Sequence, residues 1–200
     1  MKEKSVYQFK IILLGIKLLI WRRIQVPSTY NFWDLHVAIQ NAMGWYDCHL
    51  HEFVVKDLVY GEEESIGIPQ NEDPDDSMLP GWKIKIQKYV SINPKMRYIY
   101  DFGDNWEHEI KFEGEYPKLE GIKYPICLDG KRACPPEDIG GTFGYEDFIE
   151  ARQNPNTKES QDIINRVVDS FDTEHFDPTE VLFYNPTEHR KNRLIEIQLS

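Results

Sequence analysis

The chain's 200 residues, 40% of them hydrophobic, give a single domain enough apolar material for a core. A net charge of −11 excludes a broadly basic surface for nucleic acid or anionic membrane, leaving only local patches at Trp21-Arg22-Arg23 and the lysines of 83–88. Three cysteines, Cys48, Cys127 and Cys134, are too few for a disulfide framework, and the apolar run 11–21 is far shorter than the roughly 20 residues a membrane helix needs. The expectation is a cytoplasmic protein with reduced thiols and no membrane association.

In chain order, Tyr7, Phe9, Ile11 and Leu13 alternate with polar neighbours and predict a strand. The run 19–26 is its antiparallel partner after Gly15, with Ile20, Ile24 and Val26 on one face and Pro27 as its stop. Asn31 with Asp34 makes a capping box. Phe32, Leu35, Ile39 and Met43 mark the buried stripe of the helix that follows, and Gly44 stands at its C-terminal cap. His36 lies on or beside that stripe and reads as a satisfied core histidine. The segment 48–55 predicts a third strand, with His49 and His51 on one face, a pair able to share a metal if a third ligand arrives from elsewhere. The acidic stretch 61–81 reads as a surface excursion, within which Asp73, Asp75 and Asp76 could loosely hold a cation. Trp82, Ile84 and Ile86 then predict a strand leading into the densest part of the chain.

That part is 98–112, Tyr-Ile-Tyr-Asp-Phe-Gly-Asp-Asn-Trp-Glu-His-Glu-Ile-Lys-Phe, a β-hairpin by its alternation around a short turn. A three-residue loop, Gly103-Asp104-Asn105, with Asn105 left-handed, puts Met96, Tyr98, Tyr100 and Phe102 on one face with Trp106, His108, Ile110 and Phe112. Arg97, Ile99, Asp101, Glu107, Glu109 and Lys111 take the other face. Burial selects this register, since a one-residue slip would exchange the faces. Asp101 is then opposite Glu107, a like-charge pair that wants a cation or an arginine between them.

Beyond the hairpin, Asp129-Gly130 signals a tight turn between Cys127 and Cys134. Gly140, Gly141 and Gly144 precede a helix from about Tyr145 and, with Arg132, are candidates to hold an anion, although their spacing fits no nucleotide fingerprint. The last quarter reads as helical. Asn156 and Glu159 suggest a cap, Ile163, Ile164, Val167, Val168 and Phe171 a face, Asp177-Pro178 a helix start, and Leu194, Ile195 and Ile197 a docking edge. The fold class expected is α+β, a mainly antiparallel sheet built from hairpins and flanked by helices, in one domain spanning 1–200.

Several motifs together resemble a known family: Leu18-Leu19-Ile20-Trp21-Arg22-Arg23, Asp34-Leu35-His36, Met43-Gly44-Trp45, His49-Leu50-His51-Glu52-Phe53, Tyr100-Asp101-Phe102-Gly103-Asp104-Asn105-Trp106-Glu107-His108, Arg132-Ala133-Cys134-Pro135-Pro136-Glu137-Asp138, Gly140-Gly141 and Gly144-Tyr145-Glu146. They are similar to the plasmid pRiA4b ORF-3-like family, also labelled insertion-element passenger TnpR proteins, over about 7–182. The resemblance implies a plasmid or mobile-element setting and carries no biochemical activity with it. Asn105 stands where the family usually has Gly, and the acidic stretch is longer than usual.

Three functions follow as expectations. The first is a non-catalytic binding or accessory module with a protein partner, its surface at Asp101, Asp104, Asn105, Glu107 and Glu109. The second is a metal-dependent hydrolase of phosphodiesters, with a divalent ion among His49, His51, Asp101, Asp104 and His108. The third is a DNA-binding accessory factor, which needs Arg22, Arg23, Lys131 and Arg132 on one surface and is disfavoured by net charge. The binding module leads. No complete set of catalytic groups is visible, so enzyme activity stays open.

Overall fold

In a computed structural model, which describes residues 5–56, 60–69, 77–168 and 170–199 with side chains as far as 193, the hairpin forms the middle of one sheet. The strands are β1 Ser5–Leu13, β2 Trp21–Pro27, β3 His51–Lys56, β4 Glu63–Gly67, β5 Leu79–Pro80, β6 Lys95–Tyr100, β7 Trp106–Pro117 and β8 Ile126–Lys131. Their order is β5-β4-β3-β6-β7-β1-β2-β8, antiparallel except where β4 meets β5. The helices are α1 Phe32–Met43, α2 Gly141–Gln153, α3 Lys158–Ile164 and α4 Pro186–Leu199. This is the expected α+β class. Among the described residues no helix is long and apolar enough to cross a membrane.

Alternation decides the faces. Tyr7, Phe9, Ile11 and Leu13 of β1, Ile24 and Val26 of β2, Phe53 and Val55 of β3, and Tyr98 and Tyr100 of β6 are buried in one cluster with Leu35, Ala38, Ile39, Ala42 and Met43 of α1. Each fully buried large apolar side chain contributes about 1.5–3 kcal/mol, so this layer is the main source of stability. The opposite face is polar: Arg23 grips Glu113 at 2.7 and 3.1 Å, and Gln8 donates to the same carboxylate at 2.8 Å. Asn31 caps α1 as expected, its Oδ1 accepting from Asp34 N at 2.8 Å while Asp34 accepts from Asn31 N at 3.1 Å, and Gly44 closes the helix with φ +91°. α4 is tied back to α1, where Trp33 Nε1 donates to the Pro186 carbonyl at 2.9 Å and Asn41 accepts from Tyr184 N at 2.9 Å.

The faces of the hairpin are those expected, but the pairing is displaced by two residues. Tyr100 pairs with Trp106 and Ile99 with Glu107, so Asp101 is not opposite Glu107. Asp101 leaves the strand at φ +57°, its carbonyl accepts from Asn105 N at 2.6 Å, and its Oδ1 accepts from Gly103 N at 2.9 Å. An α-turn braced by an Asx-turn therefore replaces the three-residue loop. Asn105 is left-handed as expected, while Phe102 lies in the turn, 49% exposed instead of in the aromatic face.

Other expectations change as well. The acidic stretch is not a mere excursion: β4 and β5 lie in it, with Ile66 and Ile68 buried, and they form one edge of the sheet. Asp73, Asp75 and Asp76 fall outside the described residues. Instead of a strand, 3-10 turns at Gly81–Lys83 and Ile86–Lys88 flank an isolated bridge from Lys85 to Asn31, where Ile84 and Ile86 pair with Phe32 and Tyr30. Asp129-Gly130 lies inside β8 opposite Arg23 and Arg22, beside a bulge at Leu128. α2 begins at Gly141, Thr157 and not Asn156 caps α3, Val168 is exposed, and Pro178–Glu180 is one 3-10 turn. The side chains of Leu194, Ile195 and Ile197 lie outside the described residues.

Candidate functional site

Three segments meet at the hairpin turn: 45–50 ahead of β3, 100–105, and 135–141 ahead of α2. They are tied together by hydrogen bonds, several of them between buried or half-buried groups that folding must satisfy. The Tyr100 hydroxyl accepts from Cys48 N at 3.0 Å and donates to Glu137. Glu137 also accepts from Tyr46 N at 3.0 Å, and Trp45 Nε1 donates to the Pro135 carbonyl at 2.9 Å. Asp101 N donates to the Leu50 carbonyl at 2.9 Å. Asp104 Oδ2 accepts from Gly140 N at 3.2 Å, and a Cβ on Gly141 would lie 2.4 Å from the Asp104 carbonyl oxygen, so only glycine lets the two turns close.

On this frame His49 Nε2 lies 3.0 Å from Asp138 Oδ1 and 3.5 Å from Asp101 Oδ2. One ligand atom from each of the three lies within 4.8 Å of the others. An ion bound at about 2.1 Å to each would set such atoms roughly 3–3.5 Å apart, close to the two distances seen. The Nε2 atom is shielded from solvent and neither carboxylate meets it in hydrogen-bond geometry, whereas Asp138 is 75% exposed and keeps the group open. Both aspartates are left-handed, at φ +57° for Asp101 and +58° for Asp138. Asp tolerates that conformation far better than most residues, and it turns both carboxylates toward His49.

The neighbouring groups are committed. Burial and Glu137 push the Tyr100 phenol well above its usual range, keeping it a donor, and burial followed by Glu137 raises the Cys48 thiol, which disfavours a reactive thiolate.

Of the residues expected to share a metal, His49 and Asp101 come together. Asp104 serves the turn toward Gly140, and His51 and His108 go elsewhere. His49 precedes β3, so strand alternation does not govern it, and His51 stacks on His36 in the interior. His108 is fully buried edge-on to Trp45, its Nδ1 3.3 Å from the Tyr98 carbonyl, and desolvation lowers its pKa to about 4. Among the partner-surface residues, Glu109 pairs with Lys95 at 2.8 Å and Asn105 donates to Glu107 at 3.3 Å. The anion candidates do not assemble: Arg132 pairs with Glu174 at 2.7 Å, and Asp104, a carboxylate of the chain itself, takes the Gly140 N–H. Gly144 is needed because a Cβ there would lie 2.0 Å from the Ile139 carbonyl oxygen. Sequence reasoning missed Asp138 as a neighbour of His49 and Asp101 although its Pro-Pro-Glu-Asp motif is plain, because nothing in that motif says which hairpin it will meet.

The comparisons with known proteins agree with one another. The chain is 36% identical over 153 residues to the uncharacterised protein y4hQ of Sinorhizobium fredii, covering 76% of this chain and 75% of that one. It is similar to the crystal structure of a protein of unknown function, MM3350 from Methanosarcina mazei Go1, at 41% identity and a TM-score of 0.84, covering 90% of this chain and 99% of that one. The family model for plasmid pRiA4b ORF-3-like proteins matches residues 5–180, and the chain belongs to that family.

Proposed function

We propose that the protein is a binding module that holds a divalent cation at His49, Asp101 and Asp138 and docks an oxyanion of a protein partner on the ion's open positions. The observation that carries this reading is the approach of two carboxylates to one shielded imidazole nitrogen at 3.0 and 3.5 Å, open to solvent on the Asp138 side. A groove of about 620 Å³ lined by Glu137, Asp138, Lys158 and Arg166 adjoins it and offers room for a bound segment. The plasmid origin in the family's description supports work beside the proteins of a mobile element.

Hydrolysis of phosphodiesters at the same ion is the second reading, favoured by the open coordination. Against it, the adjacent carboxylate of Glu137 is engaged by Tyr100 and Tyr46 and is a poor general base. A nucleic-acid partner is less supported: Arg22 is buried on the Ala42 carbonyl at 2.8 Å, while Arg23 and Arg132 are paired with Glu113 and Glu174. The test is calorimetric titration of Mn²⁺ and Zn²⁺ into the chain and into Asp101→Asn/Asp138→Asn. Loss of binding at one site in the double variant is expected, and identical isotherms would sink the proposal. Turnover of a model phosphodiester by the loaded protein, abolished in the same variant, would promote the hydrolase reading instead.

A further inference from the structure

A second group of ligand-type side chains lies beneath the first, wholly inside the molecule. His36 comes from the sheet-facing side of α1, Asp47 from the turn after its cap, and His51 from the first position of β3. Their exposures are 0%, 4% and 1%. One ligand atom of each lies within 4.8 Å of the others. His36 Nε2 is 3.0 Å from Asp47 Oδ1 without hydrogen-bond geometry, and neither ring nitrogen of His51 has a hydrogen-bond partner among the described residues. A buried polar atom left without a partner is destabilising, so the arrangement asks for one.

The surroundings say which partner. The rings of His36 and His51 stack face to face at 3.4 Å and 9°. With neither ring nitrogen engaged by a described residue, the neutral His51 imidazole offers a bare lone pair. On the far side of His36, Nδ1 is 2.8 Å from the Tyr98 hydroxyl, which also lies 2.8 Å from the Gln40 amide, whose Oε1 is buried and partnerless. Turning that amide lets Oε1 take the Tyr98 proton and lets Tyr98 accept from His36 Nδ1–H. His36 Nε2 is then a second bare lone pair, facing the Asp47 carboxylate. Metal-bound histidines are held in this way, with the outer N–H fixed by an oxygen. His189 of α4 supplies a comparable support to the carboxylate, its Nε2 2.7 Å from Asp47 Oδ2.

We propose that His36, Asp47 and His51 form a buried site for a first-row divalent cation of the zinc class, with Tyr98 and His189 orienting its ligands. Two imidazoles and one carboxylate suit zinc, cobalt or iron(II), and suit magnesium and calcium poorly, since those ions prefer all-oxygen shells. Because both in-plane lone pairs must converge on one point, binding splays the stacked rings. A cavity of about 500 Å³ lined by Gln40, Asp47, Tyr184 and His189 gives an entry path from the α4 side. The ion would pin α1 to β3.

The test uses the full chain carrying Asp101→Asn/Asp138→Asn, which silences the surface group and keeps the two proposals separable. Protein unfolded in urea with EDTA, then refolded with Zn²⁺, is expected to retain about one zinc per chain and to gain about 5 °C or more in Tm over the same protein refolded without it. Co²⁺ in place of Zn²⁺ is expected to give ligand-field absorption bands. Adding His51→Leu should abolish zinc retention and the Tm response, while the metal-free variant is at least as stable as its parent because partnerless nitrogens are gone. Should His51→Leu fail to fold, Asp47→Asn, which preserves size, is read in its place. No retained zinc in the refolded parent, or an unchanged zinc response in both ligand variants, overturns the proposal.

Discussion

His108 shows how a side chain with reactive chemistry becomes a structural one. It titrates near 6.5 when unfolded and about 4 in the native state because desolvation disfavours its charge. Between those values the unfolded chain binds the extra proton. The contribution of neutral His108 is therefore whole above pH 6.5, falls as the pH drops, and is exhausted by about pH 4, a loss of at most about 3 kcal/mol. His108→Phe should flatten that part of the stability-versus-pH curve, measured by urea unfolding at fixed pH values. An unaltered slope would mean that other groups carry it. At this scale the sequence was half legible. The aromatic face assigned His108 to the core, and the density of carboxylates pointed to the turn. The partner Asp138, 37 residues beyond Asp101, was hidden because it depends on where the 135–141 segment docks.

At the scale of elements, capping and turn chemistry do most of the specifying. Asn31→Ala removes the side-chain half of the α1 capping box, the Oδ1 that accepts from Asp34 N, and should cost about 1 kcal/mol, read from the shift of the unfolding midpoint. Gly141→Ala should cost more, about 1–3 kcal/mol, because φ is +67° and the new methyl meets the Asp104 carbonyl at 2.4 Å. Loss of cation affinity at His49 should accompany it, since Asp104 and Asp101 share one turn. The capping box, the glycine cap and the hairpin faces were legible because they are local in sequence. The two-residue displacement in the hairpin was not, since it preserves both faces and leaves periodicity unchanged. β4 and β5 escaped notice because short edge strands in an acidic stretch carry too few alternating apolar residues.

The whole molecule depends on pairings between distant parts of the chain. β1 is inserted between β2 and β7, so the sheet cannot close until its N-terminal strand meets residues about a hundred positions away. The α+β class follows from counting hairpins and helices, whereas this insertion and the docking of α4 do not. Trp33→Phe removes the donor to Pro186 and should speed amide exchange through 184–193 while the sheet stays protected, a difference readable by exchange mass spectrometry. Equal rates in both proteins would show that α4 is held by other contacts.

The left-handed backbone at Asp47, Asp101 and Asp138 has a consequence for how this family can vary. At such positions asparagine keeps the turn but weakens an ion, glycine keeps the backbone but at Asp101 loses the side-chain brace to Gly103 N, and glutamate keeps the charge but strains the backbone. A mutational scan should therefore separate two demands at each position. Stability should rank Asp and Asn together and above Glu, and cation affinity should retain Asp alone. Conservative exchange by charge is expected to be the more damaging change for the fold, and asparagine the one that keeps the fold while failing the cation titration.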